Sequence, residues 1–169
     1  MGAELLVIVV LPALLALAAG WDLASFTIPN PLQWALVAAF VVFILVCGLS
    51  PAAVGGHLLA GFLGLTLGFT LFAFGYVGGG DAKLFAVIIL WLGFHDLAAY
   101  ALVASLMGGA LTLLLLVLRR LPLPAVLTRQ AWLLKLHDDR SGIPYGVALA
   151  AGLFFILPQT EIFRLAAGA

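Results

Sequence analysis

Gly78-Gly79-Gly80-Asp81-Ala82-Lys83 separates two long apolar runs, residues 54–74 before it and 82–94 after it. Three consecutive glycines interrupt a helical pattern, and an acidic side chain follows at once. This reads as a turn at a membrane boundary, dividing a chain that is apolar almost throughout into crossing segments. An acid kept at such a boundary costs desolvation energy, so it points to a task.

The composition supports that reading. Hydrophobic residues make up 66% and charged residues 8%, with a mean hydropathy of +1.30. Soluble domains carry roughly 25% charged residues, which excludes a soluble globular fold. A helix needs about 20 mostly apolar residues to cross ~30 Å of hydrocarbon. The chain is therefore expected to be an all-α, polytopic membrane protein, with residues 1–169 forming a single integral membrane domain. A formal net charge of zero gives no support for a nucleic-acid partner, whereas the lipid bilayer is implied as one. The lone Cys47 excludes an internal disulfide and a multi-cysteine zinc site.

Six spans can be drawn, at 5–25, 32–49, 54–74, 82–94, 97–118 and 144–157. Ile28-Pro29-Asn30-Pro31, Ser50-Pro51, the triple glycine and Ser141-Gly142 separate them. The fourth and sixth are short for a crossing and are expected to extend into flanking loops or sit in thinned bilayer. Residues 5–17 resemble a signal peptide, with Ala16-Leu17-Ala18 as a cleavage box. The leading Met1-Gly2-Ala3-Glu4 lacks the positive charge of such a segment, so the run is expected to stay as the first helix.

With the N-terminus outside, the connections 21–31, 75–81 and 119–142 face the cytoplasm. Arg119, Arg120, Arg129, Lys135 and Arg140 then lie inside, Lys83 lies at the inner edge, and only Arg164 falls outside. The same segmentation puts Asp22 and Asp81 on one side, because two spans separate them. The 119–142 loop reads as a surface-lying piece with orienting charges. Within it, Asp138 and Asp139 are the groups that would attract a basic ligand.

Asp22 and Asp81 are the candidate catalytic pair. Two carboxyl groups a few ångströms apart share one proton, so one can accept a proton from water while the other polarises a peptide carbonyl. Such a pair titrates as a unit, and the two roles are not separable from sequence. The plainer reading makes both acids interfacial helix caps. Their common side, and the breaker-rich segment beside each, favour chemistry. Glycines 78–80 would permit tight turns and close approach of a substrate backbone. Lys83 is either an inner-face anchor or an electrostatic neighbour of Asp81. His57 and His95 fall near the outer ends of their spans, while Glu4, Asp96 and Glu161 look like solvated outer-boundary residues. Gly61, Gly64 and Gly68 form a small-residue face for helix packing.

Trp21-Asp22-Leu23, Ile28-Pro29-Asn30, Gly78-Gly79-Gly80-Asp81-Ala82-Lys83-Leu84 and Ile143-Pro144-Tyr145-Gly146 together resemble the G-x-G-D class of prepilin peptidases, the type IV prepilin leader peptidases. The chain is most similar to their short form, associated with Flp/Tad-type pili. It departs from the larger members in lacking an N-terminal region with paired C-x-x-C motifs, which puts in doubt the methyltransferase activity of those members. The resemblance implies an intramembrane aspartyl endopeptidase at the cytoplasmic face of the inner membrane. Its substrates would be prepilins and pseudopilins with a short basic leader, cut after glycine, and an apolar helix. It implies no metal or other cofactor. By the same resemblance Asp22 and Asp81 are catalytic, and Gly78, Gly79, Gly80, Lys83, Pro29, Asn30 and Pro144 support the site or bind substrate. Two other readings compete: a small transporter or proton relay, disfavoured by the absence of a mid-helix acid, and a non-catalytic pilus-assembly subunit.

Overall fold

A computed structural model describes residues 2–124 and 126–168. The described residues form helices joined by short turns, with no strand among them. The first helix, α1 (Gly2–Ser25), runs unbroken through the alanine-rich box. Its Leu5–Val10 portion is π-helical and leads into Pro12. Proline has no N–H to return to the preceding turn, and the wider turns accommodate that gap. Phe26 ends α1 in the left-handed region at φ 59°, the sole non-glycine residue with positive φ among those described. Such a residue costs about 1–2 kcal/mol of strain. Lys135 braces it, donating 3.0 Å to the Ser25 carbonyl and lying 4.8 Å from the centroid of the Phe26 ring.

Pro29 caps α2 (Asn30–Cys47), and Pro31 fills its first turn, where a missing N–H costs nothing. Ser50 caps α3 (Pro51–Ala73), accepting the Ala53 N–H at 3.2 Å. The triple glycine opens α4 (Gly79–Leu92), and α5 (Leu97–Arg119) follows. Beyond it lies a surface stretch with a short helix, α6 (Ala131–His137). Arg119 straps this stretch back on itself, donating to the carbonyls of Leu136 at 2.9 Å and Gly142 at 2.8 Å. The chain closes with α7 (Tyr145–Ile156) and α8 (Glu161–Ala167).

All six apolar runs become helices, but they do not make six full spans. Four helices, α1, α2, α3 and α5, are long and apolar enough to cross a membrane. A fifth span arises if α7 and α8, bent by 52°, are taken together. At 14 residues, α4 is about 21 Å long, short of the ~30 Å core. Its environment gives the reason. Nine of its residues are buried, and it packs on α2, α3, α7 and α8. A helix sheathed by protein need not match bilayer thickness, provided its terminal backbone groups find protein partners. At its C-terminal end His57 Nδ1 meets the Leu90 carbonyl at 3.0 Å, and in its first turn Gln33 Nε2 adds a bond to the Gly80 carbonyl at 3.0 Å.

The closest helix packing is α3 on α4, along Gly61, Gly64 and Gly68. A Cβ on Gly68 would stand 2.8 Å from the Ala82 carbonyl oxygen, and one on Gly61 2.9 Å from Leu90 Cβ. Backbones thus touch without intervening side chains, as small-residue faces in membranes allow. Around this centre Phe40, Phe43, Trp91 and Tyr100 are fully buried, while large apolar side chains such as Leu45 and Phe69 face outward, as a lipid-facing exterior requires. Asp96 overturns its expected place at a solvated boundary. It is buried because α8 folds back against it: its Oδ2 accepts the Glu161 N–H at 2.7 Å, and its Oδ1 meets His95 Nδ1 at 2.9 Å. A helix N-terminus is a favourable place for that charge.

Gly68→Val is expected to destabilise the protein by about 1–3 kcal/mol through overpacking of the α3–α4 contact. Gly55→Ala, on the same helix but with open space around it, is expected to be neutral or to stabilise by up to about 1 kcal/mol. Reversible unfolding in mixed micelles measures both.

Candidate active site

Asp22 lies in the last turn of α1 and is 3% exposed, while Asp81 lies in the first turn of α4 and is 9% exposed. Although 59 positions apart in sequence (81 − 22), they meet at one end of the bundle, near enough to interact as charges. This agrees with the two intervening helices, each of which reverses the chain.

The third participant is the start of α7. Its Gly146 N–H donates to Asp22 Oδ2 at 2.8 Å in a buried hydrogen bond, while the Asp81 carboxylate lies against Gly78. The first N–H groups of a helix have no partner within it and carry its positive end. Pro144, in the capping position, begins the helix where those groups face the acids. The partial positive charge of that helix start thus falls on Asp22, the neighbour of Asp81.

The glycines serve contact rather than unusual backbone geometry. None of Gly78, Gly79 and Gly80 has positive φ, so the expectation of a turn closed to other residues is not met here. A Cβ on Gly146 would stand 2.8 Å from Asp22 Oδ2 and 2.9 Å from Ile28 Cδ1. One on Gly78 would stand 2.9 Å from Asp81 Oδ2, and one on Gly80 3.2 Å from the Ile28 nitrogen. Each side chain added here would occupy space the carboxylates or the Ile28–Pro29 backbone already fill.

A second layer holds α4 in register. Gln33, 6% exposed, fixes the Gly80 carbonyl, and Lys83 Nζ donates to Asn30 Oδ1 at 2.9 Å. The first turn of α2, started by Pro29, therefore clamps the first turn of α4. Lys83 is engaged with Asn30, and the groups acting on Asp81 are Asp22, Gly78 and Gly146. Pro29 and Pro144 act by starting helices. Asp138 and Asp139 are exposed, and Asp138 accepts the Arg140 N–H at 3.0 Å in a local turn.

Two buried oxygens have no hydrogen-bond partner among the described residues, Asp81 Oδ1 and Gln33 Oε1. Leaving such a group unsatisfied costs about 1–3 kcal/mol. Asp81 also forms part of the wall of a cavity of about 640 Å³ between α3, α4, α5 and α7. Its lining is mostly apolar, with Ser105, Thr112 and Tyr145 as further polar groups and Gly68 at a close-packed point. Among the described residues no three His, Cys, Asp or Glu side chains gather as a metal site would require.

Sequence reasoning did not select Gly146 or Gln33 as site residues. Gly146 was visible only as the end of a proline motif, because its contribution is a backbone N–H. Gln33 carried a signal: an amide inside an apolar helix needs a partner.

A family model described as the type IV leader peptidase family matches residues 9–113, a stretch that holds both acids and stops before Pro144. Neither the curated proteins nor the solved structures include a match to the chain.

Gly146→Ala is expected to lower stability by about 1–3 kcal/mol, because its Cβ collides with the Asp22 carboxylate. Part of that loss should vanish in an Asp22→Ala background, while the contacts with Ile28 Cδ1 and the Cβ at position 22 remain. A double-mutant cycle on thermal unfolding reads the coupling.

Proposed function

The chain belongs to the type IV leader peptidase family, and from that premise we propose that it is an aspartic endopeptidase working through Asp22 and Asp81. The observation that carries the reading is the convergence of two buried carboxylates, from distant helices, on one helix N-terminus beside an apolar cavity. A structural cap needs one acid. Two buried acids brought together at one end of the bundle, one of them on the start of α7, exceed what helix termination requires.

The chemistry follows from sharing one proton between the pair. The ionised carboxylate takes a proton from water as the water oxygen adds to the peptide carbonyl carbon. The protonated carboxyl group donates to the carbonyl oxygen. Collapse of the tetrahedral adduct breaks the carbon–nitrogen bond, and the departing nitrogen receives a proton from the pair. Asp81 Oδ1, buried and without a protein partner among the described residues, is the acceptor a water would satisfy. The N–H of Gly146 keeps negative charge tolerable at Asp22 during the cycle.

The substrate is a prepilin or pseudopilin: a short basic leader followed by an apolar helix. The mostly apolar cavity beside Asp81 suits the start of such a helix, with the leader extending into the aqueous phase. Gly109 in the lining, with open space around it, leaves room for a backbone to enter the cavity. The enzyme lies in the cytoplasmic membrane with its N-terminus outside and the acids at the inner face, because the basic residues of the 119–142 segment then fall inside.

Purified protein incubated with a panel of Flp-type prepilins should release leader peptides. Asp22→Asn and Asp81→Asn should each reduce the cleavage rate by about 10²–10⁴, while Glu161→Gln should stay within about twofold, as expected for a distant surface change. Mass spectrometry of the products measures rate and cut site together. Efficient processing by either Asn variant would overturn the reading.

A further inference from the structure

A second cavity, of about 360 Å³, lies on the opposite side of α4, between α2 and α3. Its ends differ in chemistry. Asn30, Gln33, Trp34 and Lys83 line one end, while Leu58 and Leu90 belong to the other. From Lys83 to Leu90 the groove extends about 10 Å along α4 at 1.5 Å per residue. The polar end is level with the acids, since Lys83 follows Asp81 by two residues.

Three observations at that end point to an occupant. Lys83 is exposed and bonded to Asn30 Oδ1 at 2.9 Å, with no carboxylate in ion-pair distance among the described residues. Gln33 is 6% exposed, and its Oε1 is buried without a donor while its Nε2 is committed to the Gly80 carbonyl. Trp34 is 70% exposed, the setting of an indole at the membrane–water interface. A cation, an acceptor lacking its donor and an interfacial indole thus stand above an apolar slot. Lined by Val37, Leu58, Leu90 and other apolar groups, the slot suits a flexible hydrocarbon chain.

The geometry points to a binding site for one anionic phospholipid whose headgroup carries a hydroxyl donor, of the phosphatidylglycerol class. Its phosphate meets Lys83 and the Asn30 amide, its headgroup hydroxyl donates to Gln33 Oε1, and part of one acyl chain fills the slot toward Leu58 and Leu90. Basic pockets between membrane helices favour anionic headgroups on charge grounds. The site goes beyond the proposed peptidase reaction and does not rest on it. Through the Lys83–Asn30 contact it touches the clamp that holds α4.

Native mass spectrometry of the full chain released from micelles tests this, with dioleoyl-phosphatidylglycerol compared with dioleoyl-phosphatidylcholine and dioleoyl-phosphatidylmethanol. The expected result is one retained phosphatidylglycerol per chain, bound at least tenfold more tightly than phosphatidylcholine. It should also bind several-fold more tightly than phosphatidylmethanol, which keeps the charge without the hydroxyl. Lys83→Gln should erase the preference over phosphatidylcholine, and Leu58→Trp, which fills the slot, should weaken all three lipids. Arg120→Gln, a surface cation outside the groove, should change nothing. Equal binding of the lipids, an equal loss in Arg120→Gln, or unchanged binding in Leu58→Trp would overturn the proposal. So would displacement of the lipid by millimolar inorganic phosphate, which would mark a bare anion site, or by a prepilin peptide, which would assign the groove to substrate. If Lys83→Gln does not fold, Leu58→Trp and the comparison of headgroups decide the matter.

Discussion

The hydrogen bond from Gly146 N–H to Asp22 is the constraint on which this structure turns. A carboxylate withdrawn from water near a membrane boundary is costly, and a second one beside it raises the cost. The partial positive charge of a helix start meets Asp22 directly, and Asp81 stands beside it. That solution dictates much else. The helix must begin close to the acids, so a proline caps it, and its second residue must lack a side chain because Asp22 and Ile28 occupy the space. The preceding loop must come back to the same end, and Arg119 straps it there.

The short α4 is the mechanical counterpart. It carries one acid at its first turn and contributes much of the core, with Trp91, Leu84 and Ile88 fully buried. It is held by glycine contacts to α3 on one side and by Gln33 and Lys83 to α2 on another. A buried helix tied to its neighbours near both ends has few ways to shift, and rigid placement is what a two-carboxylate site demands. The acid of α1 is braced differently, by a strained Phe26 under Lys135. The surface segment therefore has a structural attachment to the site, although its charges are what the sequence displays most openly.

Two cavities flank α4, and they divide the surroundings of the acid-bearing turn between them. One reaches Asp81 itself; the other reaches Lys83 and Gln33, which hold that turn from behind. The same two residues of α2, Asn30 and Gln33, contribute to the clamp and to the second cavity. Anything occupying that groove touches the support of the site without touching the acids.

By itself, the sequence determined that the chain is helical and membrane-embedded, where its helices break, and which two acids share a side. Composition, apolar run length, prolines and glycines act locally, and the side of each acid follows from counting reversals. The packing role of Gly61, Gly64 and Gly68 was equally legible, because small residues three and four apart fall on one helix face. Tertiary structure alone decided the remainder. Whether α4 spans or is sheathed depends on its neighbours rather than its length. Asp96 became a buried cap because α8 folds back on it. The glycines around the acids turned out to make room rather than unusual turns. Gly146 was hidden because a backbone N–H has the same sequence signature in every residue but proline, and only the fold aims it at a charge.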